Sequence, residues 1–213
     1  MDIFWHGYAC LSLDAKEASV VINPYSSSIG LKLPSLTADA VLVSQQDADI
    51  MAFDRDDVKI LDWPGEYEVC GVAITSQKLK PKPTDGENGT DTTLFTLNVD
   101  NLKICYFDNL GVDLTQEMVE NIGQVDILMI PVGTEKNAYK KAHEIIEEIE
   151  PRIVIPMLYR TDGLNVELES IENFAKQAGI TALQPSNKFS INAKSDLPQE
   201  QTQYVILIPK TVA

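Results

Sequence analysis

The run Ala40–Val43, A-V-L-V, opens directly into the polar loop Ser44-Gln45-Gln46-Asp47-Ala48-Asp49-Ile50. An apolar run without a charge suits a strand covered on both faces, so the chain is expected to build layers on either side of it. The end of such a strand is where an α/β protein usually places chemistry, because the scaffold holds the emerging loop rigidly. Polar and acidic side chains crowd this one, and Ile50 and Met51 close it.

Composition narrows the class. With 213 residues, 44% of them hydrophobic, the chain can bury a real core, and residues 1–213 are read as a single domain. The formal net charge of −15 disfavours nucleic acid and anionic membranes, whose binding depends on Lys and Arg. A protein partner, a second copy or an unidentified small molecule remain as partners. No basic start leads into a long apolar run, and no segment reaches the roughly 18 uninterrupted apolar residues of a membrane span. Cys10, Cys70 and Cys105 are odd in number and widely spaced, which suits buried free thiols and a cytoplasmic location.

Strands are expected at Ile3–Trp5, Cys10–Leu13, Ser19–Asn23, Val58–Leu61 and Glu66–Val69. Thr93–Val99 and Leu102–Phe107 read as a hairpin across Asp100-Asn101, a pair tolerant of positive φ. Further strands are expected at Val125–Val132, Arg152–Tyr159 and Tyr204–Ile208. Leu114–Ile122 suits a short helix, and Asn137–Ile149 an amphipathic one stopped by Pro151. A last helix is expected to be capped by Asn165, with Leu168, Ile171, Phe174 and Ala178 inward and Gly179 as its stop. His6, beside Trp5, reads as a packed ring with one hydrogen bond, and His143 as a surface residue.

Several of these places resemble the metallo-β-lactamase superfamily in the order in which that family carries them. After its buried strand the family has (S/T)-His-x-His-x-Asp-His. Aligned on Ser44 and Asp49, the histidines fall on Gln45, Asp47 and Ile50. The family's opening is matched by Trp5, Gly7, Ala9, Cys10, Pro24 and Tyr25, with Tyr8 for its His and Asn23 for its Asp. Pro64-Gly65-Glu66-Tyr67-Glu68-Val69, followed by Gly71-Val72, is similar to a bacterial branch containing the ascorbate-6-phosphate lactonases. Asn109 stands where the family has a metal-binding Asp, with Asp108 one position early. Pro156-Met157-Leu158-Tyr159 resembles its Pro-Met-His-Tyr, with Leu158 for the His. The resemblance implies an α/β (α+β) fold, a four-layer αββα sandwich.

Hydrolysis in that superfamily uses one or two bound Zn²⁺, Mn²⁺ or similar ions, which activate a water and polarise the scissile bond. Zinc sites are built from imidazole, thiolate or carboxylate. Ile50 and Leu158 offer no donor, and the amides of Gln45 and Asn109 are weak ones. The expectation drawn from the sequence is therefore a metal-free, catalytically inactive member with no cofactor and no catalytic residue, kept for a structural, partner-binding or regulatory role. Gln45, Asp47, Asp49, Ile50, Asn109 and Leu158 are then relic ligand positions. The alternative is a lactonase-like or phosphoesterase-like hydrolase with a rebuilt carboxylate site, in which Asp47, Asp49, Glu66 and Asp108 hold Zn, Mn or Mg. The relic reading also expects Asp49 to accept a backbone N–H, Gln45 and Asn109 to meet, and Ile50 to pack on Leu158. No G-x-S-x-G, G-x-G-x-x-G or Walker A run is present.

Overall fold

The computed structural model describes residues 1–44, 48–79, 92–107, 109–111 and 114–212. Its strands in chain order are β1 (Asp2–Trp5), β2 (Leu11–Asp14), β3 (Ser19–Ile22), β4 (Ala40–Leu42), β5 (Lys59–Leu61), β6 (Gly65–Val69), β7 (Val72–Leu79), β8 (Thr92–Val99), β9 (Leu102–Tyr106), β10 (Ile127–Pro131), β11 (Ile153–Met157), β12 (Phe189–Ser190) and β13 (Gln203–Tyr204). The helices are α1 (Gln116–Ile122), α2 (Ala138–Ile149) and α3 (Glu172–Gln177). One sheet runs β12-β1-β2-β3-β4-β5 and the other β13-β11-β10-β9-β8-β7-β6.

The two sheets pack face to face, as expected of the αββα class. Side chains alternate across β3 and β4. Val20, Ile22, Ala40 and Leu42 enter the core shared with Phe95, Leu97, Ile104 and Ile130 of the second sheet. Val21 and Val41 point the other way, into a second cluster with Cys10, Tyr25, Leu31 and Phe53. The uncharged run around residue 41 thus reflects a strand buried on both sides. The layer over the first sheet is made of loops and the 3-10 turns Ser27–Ile29 and Met51–Phe53. The helical layer lies with the second sheet, where α2 packs on β10 and α3, and Ala138, Ala142, Ile145, Ile146 and Ile149 form its buried face.

Connection rules place the functional loops. In the first sheet β3, β4 and β5 are mutually parallel. In the second, β9, β10, β11 and β13 are parallel, with α1 joining β9 to β10 and α2 joining β10 to β11. Crossovers of this kind leave the carboxyl ends of the strands to loops, the place where open α/β sheets bind ligands. The rest of the second sheet is an antiparallel meander, turned between β8 and β9 by Asp100 and Asn101 at φ of 51° and 63°.

Three expectations are corrected here. The last helix begins at Glu172, not after Asn165. The Asn165 amide instead donates to the Ile29 carbonyl at 2.7 Å. Its side chain lies so close to Gly30 that a Cβ there would meet Asn165 Cγ at 2.8 Å and the Gly163 carbonyl at 2.2 Å. Cys70 is exposed, in the β6–β7 turn with φ of 46°, while Cys10 and Cys105 are buried. Burial pushes both of those thiols well above the ordinary range. The closing strand ends at Tyr204, and its continuation reaches Ser186 through a bridge at Leu207. Among the described residues no helix is long and apolar enough to cross a membrane.

Candidate functional site

The carboxyl ends of β3, β4 and β9 meet at one buried side chain, Asn23. It follows β3 with φ of 46°, a left-handed conformation that asparagine tolerates better than most residues. Its backbone N–H donates to Leu42 of β4 at 2.9 Å. Its Oδ1 accepts the Ser44 N–H at 2.8 Å. Its Nδ2 donates to Ser44 Oγ at 2.6 Å and to Tyr106 Oη at 2.8 Å. Tyr106, at the end of β9, donates onward to the Ala9 carbonyl at 2.8 Å. The network ties both sheets to the β1–β2 loop. A carboxylate at position 23 would only accept, so the amide is what lets this residue donate twice.

The β1–β2 loop is held from other sides as well. Tyr25 Oη donates to the His6 carbonyl, and burial raises its pKa. His6 itself is fully buried. Its Nδ1 lies 3.1 Å from the Lys210 carbonyl and its Nε2 2.9 Å from Ser12 Oγ. Burial pushes its pKa down to about 4, so the ring is neutral at pH 7. A carbonyl can only accept, so Nδ1 carries the proton and the Nε2 lone pair is taken by the Ser12 hydroxyl. His6 is a packed ring, as expected, with two partners rather than one. It has no lone pair to offer a metal. His143 sits on α2 with Nε2 3.4 Å from Glu147 Oε1, away from these loops.

The carboxyl end of β11 joins the same cluster. Leu158 donates its N–H to the Tyr8 carbonyl at 3.3 Å. It is 2% exposed, with φ of 52°, a costly conformation for a leucine. Asp49 is tied to the cluster by its N–H, which donates to the Pro24 carbonyl at 2.8 Å. Its Oδ1 accepts the Met51 N–H at 3.2 Å, an Asx turn that matches the expected loop-fixing role. Asn109 makes a similar turn, its Oδ1 accepting the Gly111 N–H at 2.6 Å.

Ile50 does not join Leu158. It packs with Val43, Ile60 and Phe53 in the cluster over the first sheet, whereas Leu158 belongs to the inter-sheet core. The expected packing of the two is corrected accordingly: they leave their loops toward different layers. Glu66 is exposed on the edge strand β6, opposite Thr75, with β7 and β8 between it and β9. At roughly 4.8 Å per strand spacing, β6 lies roughly 14 Å from β9. Gln45, Asp47 and Asp108 lie outside the described residues, and with them the expected Gln45–Asn109 contact. Among the described residues no group of three His, Cys, Asp or Glu is placed to hold a metal ion.

Two hollows open beside this cluster. A small one of about 70 Å³ lies between Tyr8, Asn23, Tyr25, Ser26, Ser28 and Ala48. A larger cleft of about 480 Å³ starts at Ser44 and runs past Val43, Ile50 and Ile60 to Trp63 and Lys78. Sequence reasoning noticed Asn23 only as a departure from a pattern, and it missed Tyr106. The available signal was a tyrosine inside the apolar run Ile104-Cys105-Tyr106-Phe107, since a buried phenol needs a partner.

The model of a β-lactamase superfamily domain matches residues 2–158, a span that contains Asn23, Asp49, Tyr106, Asn109 and Leu158. The chain belongs to the metallo-β-lactamase superfamily. A UPF0173 protein of Pyrococcus abyssi is 26% identical over 189 residues, covering 76% of this chain and 85% of the relative. A UPF0173 metal-dependent hydrolase of Methanosarcina mazei is 28% identical over 118 residues, 53% of this chain and 50% of the relative. Among solved structures, a protein from Thermotoga maritima provisionally named a Zn-dependent hydrolase of the superfamily is 26% identical. It superposes with a TM-score of 0.73, over 98% of this chain and 100% of its own.

These relatives overturn the expectation of an inactive, metal-free chain without a cofactor. Similar members of the family carry the names of metal-dependent hydrolases. The physical error lay in equating lost imidazoles with lost metal. Carboxylates and carbonyl oxygens are the preferred ligands of Mg²⁺, Mn²⁺ and Ca²⁺, which need no histidine. With both histidines committed elsewhere, the donors available on these loops are oxygen donors. Such a set fits a hard cation better than a histidine-rich zinc site.

Proposed function

We propose that the chain is a metal-dependent hydrolase whose cation is held by oxygen ligands on the loops that follow β4 and β9. Asp47, Asp49 and Asp108 would supply carboxylates, and Gln45 and Asn109 amide oxygens. When bound, a hard divalent cation polarises the scissile bond and lowers the pKa of a water. The observation that carries this reading is the donor chemistry: the loops where the superfamily builds its site keep acidic and amide oxygens, within a family whose relatives are named for metal-dependent hydrolysis.

The remaining residues have definite work in this reading. Asn23 and Tyr106 fix the strand ends, so the ligand loops start from one rigid point. The Asx turn at Asp49 occupies Oδ1 and leaves Oδ2 for a ligand bond. Leu158 seals the side facing the inter-sheet core against water. Tyr8, Ser26 and Ser28 line the small hollow with hydroxyl groups suited to orienting a polar substrate. Lactones and phosphoesters are the two substrate classes to assay first.

Protein purified without chelator or nickel resin is to be assayed on chromogenic lactones and phosphodiesters, with Mn²⁺, Mg²⁺ or EDTA. The expected result is turnover that requires the cation and falls on the order of 100-fold in Asp49→Ala, the scale of a damaged metal environment. Turnover indifferent to EDTA, or none with any cation across the panel, would overturn the proposal.

A further inference from the structure

The cleft beside Ser44 has features of a binding site for the part of a substrate that does not react. Its volume, about 480 Å³, is within the usual range for small-molecule sites. It begins at Ser44, a member of the Asn23 network, so its inner end abuts the loop cluster. Its wall is aliphatic, formed by Val43, Ile50 and Ile60. Its rim carries Trp63, 72% exposed on a protein whose other tryptophan, Trp5, is fully buried. A tryptophan left in water on a soluble surface is a ready stacking platform.

The Trp63 main chain is held firmly. Its carbonyl accepts from Ser76 Oγ at 2.6 Å and from Tyr67 Oη at 2.9 Å. Ser76 and Lys78 are two apart on β7 and so share one face of that strand. Lys78 lines the cleft from the same strand face whose Ser76 anchors Trp63. Lys78 is the basic residue among the described residues that line the cleft. Asp62, next to Trp63, also borders the cleft.

We propose that this cleft binds a planar aromatic group bearing an anionic substituent, with the ring against Trp63 and the Ile50–Ile60 wall and the anion toward Lys78. The inference rests on the hydrolase reading for the identity of the ligand as substrate, but binding can be measured without turnover. The substrate class it names is an aromatic ester or lactone with a free acid group.

The test uses the full chain and three probes of one shape: 2-naphthoate, 2-naphthol and 2-naphthylmethylamine as its ammonium. Trp63 fluorescence reports binding, since Trp5 is sealed from solvent, and chemical shifts of the probes report it in the Trp63→Ala variant. The expected order is naphthoate tightest and the ammonium weakest. Trp63→Ala should weaken naphthoate at least tenfold, and Lys78→Met should remove the preference of naphthoate over naphthol. Because the Trp63 side chain is exposed, the alanine variant should fold, which circular dichroism checks. No saturable binding, or binding unchanged in Trp63→Ala, overturns the site. Preference for the ammonium overturns the anionic part, since Asp62 would then set the charge. Failure here together with cation-dependent turnover of small aliphatic esters would sink this inference alone. Tight naphthoate binding with no hydrolysis of any ester would sink the hydrolase reading instead.

Discussion

Removing one hydroxyl, in Tyr106→Phe, tests whether the two sheets are pinned together as described. Tyr106 is fully buried, donates to the Ala9 carbonyl and accepts from Asn23 Nδ2, each at 2.8 Å. The phenyl ring keeps the packing, so the loss is confined to polar groups. Two buried partners are each left one bond short, at about 1–3 kcal/mol apiece, partly offset because the phenol no longer has to be desolvated. The net cost is about 2–4 kcal/mol, a large share of a typical domain stability of roughly 5–15 kcal/mol. Urea unfolding should show a lower midpoint at unchanged slope. Asn23→Ala should cost a similar amount, and the double variant should be less damaged than the sum by about 1 kcal/mol, because both singles break one shared bond. A Tyr106→Phe cost below about 0.5 kcal/mol, or strict additivity with Asn23→Ala, would show that the hydroxyl does not pin the strand ends.

His6 should make the protein acid-sensitive. Its native pKa, about 4, lies below the unfolded value near 6.5, so the unfolded chain takes up a proton that the native one refuses. The contribution is complete above pH 6.5 and is lost as pH falls toward 4, by about 3 kcal/mol in all. His6→Gln should remove this pH dependence, and parallel stability profiles for the two proteins between pH 7 and 4.5 would refute the assignment. Combining Gln45→His, Asp47→His and Asn109→Asp should shift metal preference from Mn²⁺ toward Zn²⁺, read by competition dialysis with elemental analysis. A folded variant that takes up no more Zn²⁺ than the parent would show that these positions do not converge.

Period and composition made the layers legible. Val20, Val21 and Ile22 read as a strand because alternate side chains face different clusters, and an apolar run without charges is the trace of that arrangement. The α2 face was legible for the same reason at helical spacing. At Asn165 the sequence misleads because a capping residue and a loop contact look alike in one dimension. Only the close approach of Gly30 and Gly163 reveals which use was made of it. The site was legible in place but not in content. Motif order located the strand ends, yet nothing local in the sequence says that Asn23 donates to a tyrosine 83 positions away. The expectation of a metal-free chain fails for a different reason: missing imidazoles say little about metal where carboxylate and amide oxygens remain, and the carboxylate-site alternative is the one the relatives favour.

Leu158 offers a sharper check on the backbone of the site, because the sign of a difference decides it. Truncating this buried leucine to alanine should cost about 2–4 kcal/mol through lost burial and a cavity. In an ordinary extended or helical segment, going on to glycine costs roughly a further 0.5–1 kcal/mol, since glycine has more freedom to lose. At φ of 52° the balance reverses. There the alanine Cβ crowds the following carbonyl at about 1–2 kcal/mol, and glycine does not. Leu158→Gly should therefore be at least as stable as Leu158→Ala, by up to about 1 kcal/mol once the entropy term is subtracted. The two variants share almost the same cavity, so packing cancels in the comparison and only the backbone remains. A leucine persists in this conformation only if its surroundings over-determine it. The N–H donated to Tyr8 and the carbonyl accepting from Gly133 at 3.1 Å are those surroundings. If glycine proves about 1 kcal/mol worse than alanine, the turn after β11 is not left-handed, and the junction of the second sheet with the β1–β2 loop has to be redrawn.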